Sequence, residues 1–475
     1  MARTTSSRTK SAGYVCAECG WTSVKWVGRC GECQAWGTLE EADGASRAGK
    51  TRAATVAIPA PRIAEVDASA AAFRSTGVRE LDRVLGGGLV PGAVILLAGE
   101  PGIGKSTLLL DVAAQTARGS GGGGAGGAHD GGTQPVLYLT GEESAAQVRL
   151  RGDRIGALAD TLHLAAETDL GRALGQIERI QPRLVIVDSV QTLQSAEVEG
   201  VAGGVTQVRE VAASLIRTAK EKGITTVLVG HVTKDGTIAG PRLLEHLVDV
   251  VCQFEGDRHS RLRLVRAVKN RYGPTDEVGC FDLREDGIES LDDPSGLFLS
   301  GTQDPVEGTC VTVTLEGRRP LVAEVQALLT PSSGGSARRT VSGVDSARVN
   351  MLLAVLQRRA RFSLASDDCY VATVGGVRLS EPASDLAVAV AIASAKLGAP
   401  VPQGMIALGE LGLAGEVRPV PGIGRRVREA ARLGFTRALV PRSPEPLGEV
   451  PAGFTVAEVS TLSEALGTIP TWTRS

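Results

Sequence analysis

The 475-residue chain lacks any run of about 18 apolar residues, which excludes a hydrophobic membrane-spanning helix. Its first ten residues, Met-Ala-Arg-Thr-Thr-Ser-Ser-Arg-Thr-Lys, hold no apolar segment, so no secretory signal is expected. A surplus of positive charge is also missing. With 51 Lys and Arg against 53 Asp and Glu the formal net charge is −2, which excludes a globally basic nucleic-acid binder. No lysine follows Lys396, and tryptophan occurs four times, at 21, 26, 36 and 472. What is present, 43% apolar and 22% charged residues, suits a soluble cytoplasmic protein of two or three domains with no membrane partner. Local basic stretches persist within the neutral whole. Through Arg62, nine Lys and Arg face five Asp and Glu, and residues 334–361 hold six Arg and one Asp.

The sharpest motif is Gly99-Glu100-Pro101-Gly102-Ile103-Gly104-Lys105-Ser106-Thr107, set between the apolar run Val94–Ala98 and a helix-like Leu108–Ala114. Strand, glycine-rich loop, Lys-Ser and helix in this order form a phosphate-binding P-loop. Gly99, Gly102 and Gly104 let backbone N–H groups wrap a phosphate, and the helix N-terminus adds a favourable dipole. Lys105 is placed to meet the β- and γ-phosphates of ATP, and Ser106 to ligate Mg²⁺.

Four of the eight cysteines read Cys16-x₂-Cys19-x₁₀-Cys30-x₂-Cys33. Paired knuckles of this spacing present four thiolates to Zn²⁺, and two disulfides are disfavoured in an intracellular P-loop protein. A module this small needs both metal and aromatics to fold. Trp21, Trp26 and Trp36 are therefore expected to pack the module itself, with base stacking as the alternative. Cys252, Cys280, Cys310 and Cys369 read as buried thiols.

Residues 44–72, rich in Ala, Ser, Arg and Pro, read as a linker, and the glycine-rich stretch 119–132 as a flexible insertion. Beyond the P-loop, strands are expected at Val136–Leu139, Leu184–Val187, Thr226–Val229 and Val250–Phe254. Helical segments between them imply an α/β fold with a mostly parallel sheet. Functional groups in such sheets collect at the carboxyl ends of the strands. There stand Asp188, a Walker-B carboxylate suited to Mg²⁺, Glu142 and Glu143, either of which can orient an attacking water, and Gly230-His231, a sensor for the γ-phosphate.

The four-cysteine module, the P-loop, Gly141-Glu142-Glu143-Ser144, Asp188-Ser189, Gly230-His231-Val232-Thr233-Lys234 and above all Lys269-Asn270-Arg271-Tyr272-Gly273 resemble the bacterial RadA (Sms) family, over nearly the whole chain. The resemblance implies a RecA-like ATPase core, also similar to DnaB-type helicases, in a hexameric ring. It implies translocation on single-stranded and branched DNA and branch migration beside the RecA recombinase. In ring-forming relatives, basic groups of one subunit reach the γ-phosphate held by its neighbour. Lys269 and Arg271, two apart on an extended segment, point the same way and are the candidates for that role.

Residues from about 300 onward resemble the proteolytic domain of Lon. The nucleophile position falls on Ala383 within Ser380-Glu381-Pro382-Ala383-Ser384, and Gly424 or Arg425 stands where the lysine belongs. Ser384, one residue displaced and without a base, reads as a helix-start serine, so the domain is expected to be an inactive α+β scaffold. Its arginines, Arg338, Arg339 and Arg348 in one cluster and Arg425, Arg426, Arg428 and Arg432 in another, suit either a phosphate backbone or a solvated helix face. The expected organisation is a zinc module at 1–43, a linker at 44–72, a RecA-like ATPase domain at 73–295 and a Lon-like domain at 296–475. The leading function is a DNA-translocating ATPase. A nucleotide-switched DNA-binding accessory without a motor is the alternative, and an ATP-dependent protease is disfavoured.

Overall fold

The computed structural model describes residues 13–41, 60–119, 134–231, 243–256, 261–300, 304–332, 337–443 and 447–469. The proposed insertion at 119–132, apart from Gly119, the Val232-Thr233-Lys234 part of one motif and most of the 44–72 linker fall outside these residues. The chain forms two compact units, one ending at Asp67 and the other beginning at Ala68.

In the first unit, β1 (Tyr14–Cys16) pairs antiparallel with β2 (Thr22–Ser23) on one side and β3 (Leu39–Glu41) on the other. Cys16, Cys30 and Leu39 form its small core, with Tyr14 and Trp21 packed against it. The described end of the predicted linker contains only 3₁₀ turns, at Ile63–Glu65 and Ala68–Ala71.

The second unit begins with α1 (Arg79–Leu85), β4 (Val94–Gly99), α2 (Lys105–Ala117), β5 (Val136–Thr140), α3 (Ala145–Arg154), β6 (Leu162–Ala166), α4 (Leu170–Ile180), β7 (Leu184–Asp188), α5 (Val205–Lys222), β8 (Thr225–His231) and β9 (Val250–Glu255). An antiparallel extension follows, made of β10 (Leu262–Asn270), β11 (Val278–Arg284) and β12 (Gly287–Ser290). The sheet order is β12-β11-β10-β9-β4-β8-β7-β5-β6, and β4 to β9 pair in parallel. Every residue of β4, β5 and β7 is buried, as unbroken apolar runs require when helices cover both faces. One face packs on α1 and α2 around Leu97, Leu108, Leu109 and Phe254; the other packs on α4 and α5 around Leu96, Ile177, Val187 and Leu215. All four predicted strands are present. β6, half-exposed at the sheet edge, escaped the sequence reading because Leu-His-Leu-Ala-Ala carries no long apolar run.

The remainder forms β13 (Thr309–Glu316), β14 (Arg319–Pro331), β15 (Arg339–Ser342), α6 (Ser346–Arg359), β16 (Asp367–Thr373), α7 (Asp385–Leu397), β17 (Met405–Ala407), β18 (Glu410–Leu411), β19 (Val417–Arg418), α8 (Ile423–Arg432), β20 (Arg437–Pro441), β21 (Thr455–Val459) and α9 (Leu462–Gly467). A mixed sheet of order β15-β16-β14-β13-β17-β20-β21 packs on α7, whose Leu386–Ala393 are buried all round. This core also takes in Leu262 and Cys280 of the first sheet. A buried ion pair ties the same two layers. The Arg319 guanidinium of β14 meets the Glu80 carboxylate of α1 and donates to the carbonyls of Leu291 (2.8 Å) and Asp292 (2.7 Å). Glu80 in turn accepts the Cys280 N–H at 2.8 Å.

Three of the candidate DNA-binding arginines are engaged within the chain. Arg426 is fully buried: α8 turns it inward with Ile423, Val427 and Ala430, and its guanidinium is closed by the Glu381 carboxylate (2.8 Å) and the Pro421 carbonyl (3.1 Å). It is therefore a structural cation and not a contact to DNA. Arg348 holds a two-pronged pair with Asp385, Nε to Oδ1 at 2.7 Å, while Arg339 donates to the Asp367 carbonyl. Arg338 and Arg425 remain exposed.

Removing one partner of a buried pair strands the other charge, at a cost of about 3–5 kcal/mol. Arg319→Ala is thus expected to lower the urea midpoint of the second unit steeply; an unchanged midpoint in urea-gradient fluorescence would show that the pair does not join the layers.

Candidate active site

The carboxyl ends of β4, β5, β7 and β8 bring the predicted groups together. β4 runs into the P-loop, and α2 starts at Lys105 behind Gly104, whose φ of 113° is open only to glycine. Gly99 has a different cause: a Cβ there would lie 2.6 Å from the Phe254 carbonyl oxygen of β9, so the constraint is strand packing and not phosphate access. The Lys105 ammonium is buried and donates to the carbonyls of Gly99 and Glu100, both at 2.8 Å. Burial lowers its pKa to about 8, against the opposing pull of Asp188 and Glu142.

Asp188 ends β7. Its Oδ2 accepts the Tyr138 hydroxyl at 2.6 Å, and its buried Oδ1 has no hydrogen-bond partner among the described residues. An orphaned buried carboxylate oxygen, with the Ser106 hydroxyl at the start of α2, is a hard-oxygen donor set that fits a magnesium ion.

The two glutamates separate in role. Glu142 accepts from the Ser189 hydroxyl at 2.6 Å and pairs with His231 Nε2 at 2.9 Å; the His231 contact chiefly, with Ser189, lowers its pKa to about 2. Glu143 is instead taken up by Arg151 of α3. Tyr138 was not foreseen, because within Val-Leu-Tyr-Leu-Thr it reads as an ordinary apolar strand residue. Burial beside the Asp188 carboxylate keeps its phenol protonated and donating.

Lys269 and Asn270 are the last two residues of β10, and Arg271, Tyr272 and Gly273 follow it. It lies at the opposite end of the sheet from the P-loop. Asn270 registers with Val250 at the start of β9, and Arg271 pairs with Asp249 at 3.2 Å. Asp249 also accepts the N–H of Val94, the first residue of β4, at 3.0 Å, and meets Lys220. The length of β4, about 20 Å at ~3.3 Å per residue, thus separates Arg271 from its own P-loop. Lys269 donates to the carbonyls of Glu245 and Val248, both at 2.8 Å. Asn270 donates to the Leu85 carbonyl at 3.2 Å, and Arg271 keeps more than half of its side chain exposed.

The four cysteines of the first unit converge, all sulfurs lying within 4.8 Å of one another, with Cys16 to Cys33 at 3.7 Å and Cys19 to Cys30 at 3.6 Å. A tetrahedral site with Zn–S bonds of ~2.3 Å asks for S···S separations of about 3.8 Å, so the donor set fits zinc. The Thr38 hydroxyl, 3.2 Å from Cys16, is the main cause that holds that thiol down at about 6.

At the Lon nucleophile position Ala383 is buried. The Ser384 hydroxyl donates to the Glu381 carbonyl at 3.1 Å, and Lys396 lies at the far end of α7, paired with Asp367.

Family models match three stretches: an AAA domain over residues 59–237, a rubredoxin metal binding domain over 14–41 and the ChlI subunit of Mg-chelatase over 372–444. A DNA repair protein RadA of Mycobacterium tuberculosis (strain CDC 1551 / Oshkosh) is 54% identical, covering 95% of this chain and 92% of its own. One from Streptococcus pyogenes serotype M1 is 44% identical over 97% and 99%. The chain belongs to the RadA family. Among solved structures, the RadB recombinase aligns over 46% of this chain and all of its own, with 20% identity and a TM-score of 0.36. As a RadA-family chain it combines a four-cysteine metal module, a RecA-like P-loop ATPase core and a Lon-like C-terminal domain. Among the described residues, no helix is long and apolar enough to cross a membrane.

The lowered pKa of Lys105 gives a test. Phosphate favours the ammonium, so nucleotide binding raises this pKa; below about 8 the group is already charged, and above it binding takes up a proton. Calorimetry in buffers of different ionisation enthalpy is expected to show uptake approaching one proton near pH 9, abolished in Lys105→Ala. Equal uptake by the variant would contradict the assignment.

Proposed function

We propose that the protein is a DNA-dependent ATPase that assembles as a hexameric ring and moves on single-stranded and branched DNA to drive branch migration beside the RecA recombinase. The observation that carries this reading is the position of the pentapeptide. Lys105, Asp188, Glu142 and His231 gather in one chain, whereas the family's signature cations stand a strand's length away, at the sheet's other end. A finger that cannot serve its own P-loop is available to a neighbour's.

In this mechanism Lys105 exchanges the Gly99 and Glu100 carbonyls for the β- and γ-phosphates of ATP. Asp188 and Ser106 would hold Mg²⁺, which neutralises charge on those phosphates. Glu142, ionised throughout the physiological range, orients the attacking water, with His231 linking it to the γ-phosphate. Glu143 serves by fixing Arg151. Arg271, whose side chain is more than half exposed, is the stronger finger, and Lys269 anchors the segment that presents it. Cys16, Cys19, Cys30 and Cys33 would hold Zn²⁺, which would supply the cross-link that so small a module needs to fold. The exposed Arg338 and Arg425 supply phosphate contacts. The Lon-like domain has no peptidase role, since Ala383 cannot attack a carbonyl and Ser384 has no base.

Arg271→Ala is expected to bind nucleotide with near wild-type affinity yet lose about 10³-fold or more of its DNA-stimulated turnover. Mixed with Lys105→Ala, which carries an intact finger, it rebuilds some complete sites and recovers partial turnover. No recovery at any mixing ratio, with subunit exchange demonstrated, would exclude action across an interface and leave the accessory reading.

A further inference from the structure

The tryptophans of the metal module do not all pack it. Trp21 does: it lies against the Cys16–Cys30–Leu39 core, and a Cβ on Gly31 would fall 2.9 Å from its ring. Trp26 and Trp36 are 58% and 75% exposed, although large aromatic side chains normally bury most of their surface. The two indoles converge over one glycine, each ring edge lying 3.8 Å from the position a Gly28 Cβ would take. A larger residue at 28 would stand between them.

Two cations flank Trp26 in sequence, with Glu18 and Glu32 the nearest carboxylates along the chain. Residues 20–31 contain Lys25 and Arg29 and no carboxylate. Arg29 stands 5.6 Å from the centre of the Trp36 ring and is fixed by neutral acceptors, the Gln34 carbonyl at 2.9 Å and the Gln34 side-chain oxygen at 2.8 Å. Neither cation forms an ion pair among the described residues, so their charge is left for a ligand. Exposed aromatic faces with unneutralised cations beside them match the chemistry of an unpaired nucleic-acid strand, whose bases stack while its phosphates meet the cations. A duplex offers no free base face to an indole. The sequence alone favoured internal packing for these tryptophans; for two of the three, the exposure reverses it.

We propose that Trp26 and Trp36, with Lys25 and Arg29, form a base-stacking site for single-stranded DNA on the four-cysteine module. From the functional reading it takes only that DNA is the ligand.

The test uses the full-length, zinc-loaded protein without nucleotide and a labelled single-stranded oligothymidylate, with affinity read by fluorescence anisotropy. The double variant Trp26→Ala/Trp36→Ala is expected to bind about tenfold more weakly or worse, with its metal retained and the slope of log affinity against log salt unchanged. Trp26→Phe/Trp36→Phe retains most of the affinity, and Lys25→Gln/Arg29→Gln flattens the salt slope. Wild-type affinity in the metal-loaded alanine variant overturns the site. If the alanine variant loses its metal, tryptophan emission decides: oligothymidylate quenches it in the wild type, and an undiminished quench in the phenylalanine variant overturns the site. Failure of the wild-type protein to bind the oligonucleotide at all would instead sink the DNA-dependent reading.

Discussion

Strand β4 is held by charge at both of its ends, and the arrangement of the ATPase core depends on that. At its start, the buried Asp249 carboxylate accepts the Val94 N–H while pairing with Lys220 and Arg271. At its finish, the buried Lys105 ammonium rests on the carbonyls of Gly99 and Glu100. A buried cation whose hydrogen bonds go to carbonyls is incompletely compensated even with the Asp188 and Glu142 charges acting on it, as its lowered pKa records. Phosphate is the ligand that relieves this condition. The length of β4 therefore separates the buried Lys105 from the segment that carries Lys269 and Arg271.

The parts of this site visible in the sequence were those whose chemistry is local. A glycine-rich loop between an apolar strand and a helix announces itself, as do Asp188 at the end of Leu-Val-Ile-Val and the paired cysteine knuckles. Groups that act through tertiary proximity left no such mark. Tyr138 looks like any strand aromatic, and Asp249 like any turn acid, until β5 is laid beside β7 and β9 beside β4. Glu142 and Glu143 likewise differ only in their tertiary contacts, with Ser189 and His231 reaching the first and Arg151 the second. Arg426 was misread because its neighbours Arg425, Arg428 and Arg432 suggest a solvated face; only the register of α8 shows that it points inward to Glu381.

The C-terminal domain keeps a protease-like framework while its polar groups serve packing. Where a nucleophile would stand there is Ala383, and the adjacent hydroxyl is spent on a backbone carbonyl. Its coupling to the ATPase core is direct: Arg319 meets Glu80 on α1, the helix that precedes β4, and Arg266 of β10 bridges Glu255 and Glu316. Charged contacts thus join the ATPase sheet to the domain that carries the exposed Arg338 and Arg425.

The central claim is that hydrolysis at this site moves DNA strands. Its most direct measurement follows a labelled joint molecule with a homologous branch, incubated with the protein and either ATP or a non-hydrolysable analogue. The account predicts that the branch migrates to completed strand exchange with ATP and stays in place with the analogue, although the protein binds the joint molecule in both. Equal extents of strand exchange with the two nucleotides, or none with ATP despite robust DNA-stimulated turnover, would contradict it.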